Sequence, residues 1–275
     1  MHYSPSQFGK YSDCPQQYSY RYMQKLHERT KDSLVFGSAI DEVMNQLHLS
    51  LMDSTIKSRP EVMLRQMLDT SRHTHGDELE TSEWDSLDEL AQRCLDQDIF
   101  KAYTDMIDYK VRSVQHNFKL RIHGLSREII GKSDVIAERA EFGHTEHYES
   151  ALIVDVKTSK RSMNQVSYRH RFQLAFYALA WMVTQQTKVI PQAELRVLVK
   201  NKKLIWQVIR CNLTENDLAN VIEVARIHDK SVKSQHFPIN RDSKWCSKKQ
   251  CSFFDRCHEE HGDSLGNVLA QCIRG

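Results

Sequence analysis

The stretch ESALIVDVKTSK, residues 149–160, runs four apolar residues, Ala151, Leu152, Ile153 and Val154, into Asp155 and Lys157. An apolar run of this length bounded by turn-like residues fits a buried strand. On a strand, residues i and i+2 share a face, so Asp155 and Lys157 point the same way and Val156 points opposite. Two readings follow. The charged end is a strand-end salt bridge, or the strand delivers a metal ligand and a base to one point. The triplet D-x-K alone does not decide, because it also occurs at Asp108-Tyr109-Lys110 and Asp242-Ser243-Lys244. Only the middle copy follows an apolar run, and only it is preceded by a strand-like segment, GKSDVIAE, that carries a second acid, Asp134, just after Gly131.

Outward from this strand the chain alternates in character. The segment FKLRIHGLSREIIGKSDVIAERA predicts strands near 118–124 and 127–141, with the third near 148–158. Phe172, Ala175, Phe176, Leu179, Ala180 and Val183 then recur at helical spacing. AELRVLVK and KLIWQVIRC predict a hairpin about Asn201-Lys202, and Thr214 is placed to cap a following helix. Upstream, Ser4-Pro5 opens a helix carrying Phe8, Tyr11, Tyr18 and Tyr22, and Pro15 marks a break at Cys14. A further helix runs from Val35 to about Leu51 and is entered through Gly37. Residues 52–117 read as a helical insertion, with the polar stretch SRHTHGDELETSEWDS as a loop between its helices. The order implies an α/β protein, a mixed central sheet flanked by helices, in a single domain over 1–275.

Bulk properties exclude several classes. With 275 residues, 40% hydrophobic and 27% charged, the chain suits an ordinary globular core. No apolar run approaches the roughly 20 residues that span a bilayer, and the start MHYSPSQFGKYSD lacks the pattern of a secretory signal, so a cytoplasmic location is expected. A net charge of +2 is too small for a globally polyanion-binding protein, so a nucleic-acid surface must be local. YRHR at 168–171, KNKK at 200–203 and RDSKWCSKK at 241–249 are the basic groupings, each more often a solvated face than a site. Seven cysteines, an odd number, argue against a disulfide framework.

Asp134 and Asp155 are hard oxygen donors of the kind Mg²⁺ or Mn²⁺ takes, and phosphodiester hydrolysis is the chemistry that uses such a pair beside a lysine. Lys157 would orient or deprotonate the attacking water. On the following helix Arg169, Gln173 and Tyr177 form a polar stripe at i, i+4 and i+8, which would hold DNA phosphates or bases, or would be a plain amphipathic boundary.

In the order FGSAIDE, GKSD, IVDVKTS and QLAFY, the chain resembles the RecB-like branch of the PD-(D/E)XK nuclease superfamily, whose motifs run G-x-x-x-H, G-x-x-D, D-x-K and Q-x-x-x-Y. The resemblance implies a restriction-endonuclease-like core. It also implies Asp134 and Asp155 as metal ligands, the Val156 carbonyl as an extra ligand, Lys157 as catalytic lysine, and Gln173 and Tyr177 as substrate-positioning groups. The family histidine four residues after Gly37 is Asp41 here, which can also ligate a hard metal. Near the C-terminus Cys246, Cys251 and Cys257 lack the second short knuckle of a zinc site. RecB-like nucleases with an iron-sulfur cluster look similar, with one cysteine in an N-terminal C-P segment, here Cys14, and three at the C-terminus. That implies a 4Fe-4S cluster joining the chain ends, with zinc as the alternative. Cys94, Cys211 and Cys272 read as core or tail thiols. The implied activity is a deoxyribonuclease, an exonuclease on single strands or ends, of phage or bacterial type, in recombination, repair or replication. The alternatives are a nuclease-fold DNA-binding subunit without activity and a metal-stapled interaction protein in which D-V-K is structural.

Overall fold

Ala151–Ser159 forms a strand, β3, at the middle of a five-stranded sheet in the computed structural model, which describes residues 2–139 and 151–262. The other strands are β1 (Tyr109–Leu120), β2 (Ile129–Arg139), β4 (Gln192–Val199) and β5 (Ile205–Cys211), in spatial order β1-β2-β3-β4-β5. Ala151 through Val156 are all buried, because helices cover both faces of a central strand and no alternation is needed. β3 runs parallel to β4 and all other pairs are antiparallel. The parallel step requires a long crossover, supplied by α7 (Tyr168–Gln185). The expected mixed α/β sheet with flanking helices is the fold observed.

The remaining helices are α1 (Pro5–Asp13), α2 (Pro15–Tyr18), α3 (Asp32–Met52), α4 (Pro60–His75), α5 (Thr81–Asp96), α6 (Ile99–Asp105), α8 (Glu215–Ser234) and α9 (Phe254–His261). The described residues divide into two compact units, one of residues up to Pro5 with Thr30–Asp229, the other of Ser6–Arg29 with Lys230 onward. In the first, α3 buries Phe36, Ile40, Val43 and Met44 in a core shared with Leu64, Trp84, Leu87 and Tyr103 from α4–α6 and with Val156 and Leu198 from the sheet. Among the described residues no helix is long and apolar enough to cross a membrane.

Four local expectations change. Residues 109–117, read as helical, open β1. Tyr109 and Val111 are buried between exposed Lys110 and Arg112, a period of two, but a bulge between Val111 and Ser113 shifts the phase and hides the strand from a periodicity count. The polar stretch 71–86 is mostly helix; the break is confined to Gly76–Glu80, and a capping box, Glu80 N–H donating to Glu83 Oε2 at 2.9 Å, starts α5. Gly37 lies inside α3 rather than at its start, and a methyl there would meet Thr158 Oγ1 at 3.7 Å, an ordinary contact, so packing tolerates the glycine without demanding it. Val183 is 52% exposed, whereas Phe172, Ala175, Phe176 and Ala180 form the buried face of α7 as read from the sequence. The ends of the strands expected at 127–141 and 148–158 fall partly outside the described residues. Thr214 does cap α8, with Oγ1 accepting from Asp217 N–H at 3.3 Å and Thr214 N–H donating to Asp217 Oδ2 at 2.7 Å.

Gly131 is the glycine the sheet requires. It pairs with Phe118 across β1 and β2, and a Cβ there would stand 2.5 Å from Phe118 Cζ and 3.1 Å from Pro5 Cδ. Gly131→Ala is therefore expected to cost about 1–3 kcal/mol by overpacking. Urea unfolding checks this, and the smaller ring partner in Gly131→Ala/Phe118→Leu is expected to recover part of the loss.

Candidate active site

The ladder between β2 and β3 ends at the pair Val135–Val154. One step further along the same register, Asp134 and Asp155 stand opposite each other, where β2 and β3 part and β3 continues beside β4. Like charges opposed across a strand pair repel, so this step needs a counterion. Asp134 is fixed by the backbone of β3, its Oδ2 accepting from Val156 N–H at 3.2 Å. Asp155 is fully buried, and its Oδ2 takes its compensation from the Lys157 ammonium. Lys157 meets both acids as an ion pair, its Nζ 2.7 Å from Asp155 Oδ2 and 3.8 Å from Asp134 Oδ2. The same ammonium donates to the Val156 carbonyl at 3.2 Å, so that carbonyl faces the same point.

A third carboxylate comes from α3. Asn45, one turn on, donates Nδ2 to Asp41 Oδ2 at 3.4 Å. Burial pushes the Asp41 carboxyl up to about 6, and the charge of Asp134 adds to it while Lys157 opposes. Burial likewise pushes Asp134 up to about 7, with the Asp155 charge next in size. For Lys157 burial acts downward, but the charges of Asp155 and Asp134 outweigh it and raise the ammonium above its ordinary value. Three carboxylates share one ammonium, so the site carries more buried negative charge than Lys157 neutralises. Buried charge left this way is costly unless paired or bound to a metal. The donors are all oxygen, which suits Mg²⁺ or Mn²⁺. Among the described residues no three acidic, histidine or cysteine side chains are drawn to ligand distance of one point, so Asp134, Asp155, Asp41 and the Val156 carbonyl would have to close by a small movement to complete a set.

From α7, Gln173 Nε2 donates to Tyr177 Oη at 2.7 Å. Tyr177 is buried, and its hydroxyl is pushed well above its ordinary value by burial and then by the charges of Asp155 and Asp134, which places the phenol beside the carboxylates. Phe118 packs edge-on to the Tyr177 ring at 5.9 Å, linking the Gly131 contact to the site, and neither Phe118 nor Asn45 is evident from sequence motifs. Asn45 could be sought as the residue four after Asp41 on a helix, whereas Phe118 carries no such signal. Arg169, the first residue of the expected stripe, is exposed in the first turn of α7.

The other two D-x-K triplets have different settings. Asp108 pairs with Arg196 at 2.9 Å, part of a buried network with Glu194 and Arg139, while Lys110 is exposed. Lys244 lies 5.1 Å over the Trp245 ring. Neither faces a second buried acid across a strand pair.

In the second unit, Cys14, Cys246, Cys251 and Cys257 line one pocket together with Gln17 and Trp245. Cys14 is extended, φ −164°, ahead of Pro15 at the first position of α2, the break expected there. Two sulfurs accept hydrogen bonds, Cys251 from Gln17 Nε2 at 3.2 Å and Cys14 from Asn240 N–H at 3.5 Å. Burial pushes the Cys257 thiol up, and Cys14, Cys251 and Cys246 push the same way. Four half-buried thiols that line one pocket, with amide donors aimed at two of them, suit a group that takes thiolates, although among the described residues no three of them are drawn to ligand distance of one point. As read from the sequence, Cys94 and Cys211 are buried thiols of the core, and Cys272 lies outside the described residues.

A family model described as the PD-(D/E)XK nuclease superfamily matches residues 2–258. The solved structure of a "putative exonuclease" from Eubacterium rectale is similar, with a TM-score of 0.51 and 15% identity over 96% of this chain and 89% of that one. At that identity the likeness concerns the fold. A structure of SSO0001 aligns at a TM-score of 0.41 and 12% identity, covering 92% of this chain and 84% of that one, too low to support an argument. Among curated proteins none matches.

Proposed function

The chain belongs to the PD-(D/E)XK nuclease superfamily, and on that premise we propose that it is a Mg²⁺- or Mn²⁺-dependent deoxyribonuclease of the RecB-like type, an exonuclease acting on single strands or free ends. The observation that carries the reading is Asp155, a fully buried carboxylate opposed to Asp134 and compensated by the Lys157 ammonium 2.7 Å away. Asp134 and Asp155, with the Val156 carbonyl and Asp41, would hold the ion. When bound, it supplies neutralisation of charge developing on the phosphate and acidifies water. Lys157, kept charged by Asp155 and Asp134, orients the attacking water by donating to it from Nζ, and the proton of that water leaves to solvent. Gln173 and Tyr177, tied by their own hydrogen bond, present donors to the phosphate, and Arg169 extends that stripe toward the rest of the strand.

In the second unit Cys14, Cys246, Cys251 and Cys257 hold a 4Fe-4S cluster, with zinc as the lesser alternative. The six described cysteines are free thiols, which suits a reducing cytoplasm and a role in phage or bacterial recombination, repair or replication. Anaerobically purified protein is expected to be brown with about four irons per chain. Cys251→Ser is expected to lose the colour and most of the iron. One zinc in a colourless parent protein would replace the cluster assignment and leave the nuclease reading intact.

Digestion of 5′- and 3′-labelled single- and double-stranded DNA in Mn²⁺, with Lys157→Ala as control, tests the activity. Release of mononucleotides or short oligonucleotides from one end, lost in the control, is the expected result. Equal digestion by the control would place the activity elsewhere. DNA binding without cleavage in either metal would instead select the inactive nuclease-fold subunit, the reading that Asp41 in place of the family histidine favours.

A further inference from the structure

β3 and β4 end side by side beyond the site. Ser159 pairs with Val199, and Lys200 N–H donates to the Ser159 carbonyl at 2.7 Å, which sets Lys160 and Lys200 next to each other. Arg161 follows, and Lys202 and Lys203 occupy the turn into β5. This turn is anchored to α5: Arg93 donates to the carbonyls of Asn201 and Lys202, the latter at 3.2 Å, and Gln97 Oε1 accepts from Leu204 N–H at 2.8 Å. Five cations therefore stand on a fixed edge rather than a loose loop.

Arg72, Lys101, Arg112, Lys119, Arg121 and Arg256 each meet a carboxylate on the surface. Lys160, Arg161, Lys200, Lys202 and Lys203 make no ion pair among the described residues. The Lys200 ammonium is half-buried, 5.0 Å over the Phe36 ring, and burial holds its pKa below the ordinary lysine value; Asp32 opposes this and the Lys160 charge adds to it. Like charges kept together without a carboxylate repel, and an edge built this way gains from a polyanion. Lys160 follows Lys157 by three residues, about 10 Å along an extended chain, so the edge begins within a nucleotide or two of the candidate active site.

We propose that this edge carries the phosphate backbone of the DNA strand whose scissile bond lies at Asp155 and Lys157, with Lys160, Arg161, Lys200, Lys202 and Lys203 contacting consecutive phosphates. The proposal rests on the nuclease reading for the identity of the polyanion. It gives the chain a local nucleic-acid surface despite a net charge of only +2.

The test uses the full chain and two double variants, Lys160→Ala/Arg161→Ala and Lys202→Ala/Lys203→Ala, all at exposed side chains whose truncation leaves the core untouched. Binding of a fluorescein-labelled single-stranded oligonucleotide is followed by anisotropy in Ca²⁺ over a range of NaCl, and cleavage of the same oligonucleotide in Mn²⁺ gives kcat and KM. Each double variant is expected to bind roughly tenfold more weakly at about 0.1 M salt, with the salt slope flattened by about 1.4, two single-strand phosphate contacts. KM should rise with it and kcat should hold. Unchanged affinity and salt slope in both variants would overturn the proposal while leaving a Lys157-dependent nuclease in place. Weakened binding in both variants of a parent protein that binds but cleaves nothing would sustain the edge and overturn the nuclease reading. A parent protein that binds no DNA would overturn both.

Discussion

Asp134→Asn is expected to lower the rate of Mn²⁺-dependent DNA cleavage by on the order of 10³-fold or more, and at the same time to raise the thermal midpoint of the metal-free protein. The first effect follows from removing a charged ligand from a site whose ion would supply several kcal/mol of transition-state stabilisation, each 1.4 kcal/mol being tenfold in rate. The second follows from the geometry of the strand pair. Asp134 and Asp155 face each other where β2 and β3 separate, and Asp41 stands near enough to feel the Asp134 charge. Asparagine keeps an oxygen for the Val156 N–H that Asp134 accepts at 3.2 Å, and its amide can donate to the Asp155 carboxylate opposite. One buried repulsion is thus exchanged for one hydrogen bond. In a domain of this size each kcal/mol so gained raises the midpoint by about 2–4 °C. Thermal unfolding in EDTA and in Mn²⁺, beside single-turnover cleavage, checks both effects. The parent should gain stability from Mn²⁺, and the variant should gain much less. A variant that cleaves within tenfold of the parent would remove Asp134 from the site; a lower midpoint in EDTA would mean that the hydrogen bond of the native carboxylate outweighs the repulsion.

That trade between stability and function explains which parts of the molecule were legible in the sequence. β3 declared itself because both of its faces are buried, so Ala151–Val154 form an unbroken apolar run whose end must be the surface or a site. β1 did not, because the bulge at Val111–Ser113 broke the alternation that would have shown it. The separation of α4 from α5 was misplaced because these helices bury little, Leu64 and Leu68 on one and Trp84, Leu87, Ala91 and Cys94 on the other, leaving polar surfaces that resemble loops. Asp134 and Asp155 could be paired from sequence only through their company. Their opposition across the end of a ladder is a matter of register, and register is not written in either strand alone. The basic edge was hidden for the same reason: Lys160 and Lys200 are far apart in the chain and become neighbours only through the parallel pairing of Ser159 with Val199. Gly131 could be seen as a glycine but not as a necessary one until Phe118 was placed against it.

Lys157→Met is expected to cost cleavage roughly 10²–10⁴-fold, the usual contribution of a positioned acid–base group, but to move stability in the direction opposite to Asp134→Asn. Methionine keeps the length of the side chain and removes its charge. Asp155 is fully buried, and the ammonium 2.7 Å from its Oδ2 is its closest compensation. Removing one partner of a buried ion pair strands the other, a loss of about 3–5 kcal/mol, and here the stranded acid also keeps Asp134 opposite it. The metal-free midpoint should therefore fall, by roughly 6–20 °C at 2–4 °C per kcal/mol. Mn²⁺ should restore more of it than it adds to the parent, since the ammonium and a divalent cation compensate the same carboxylates and in the variant only the cation remains to do so. The two substitutions thus share a loss of activity and differ in sign on stability and in response to metal. A merely structural salt bridge at the end of β3 would lower stability in Lys157→Met without any Mn²⁺-dependent recovery and would leave DNA cleavage untouched, so the pair of midpoints and the pair of rates together separate a strand-end ion pair from a catalytic lysine.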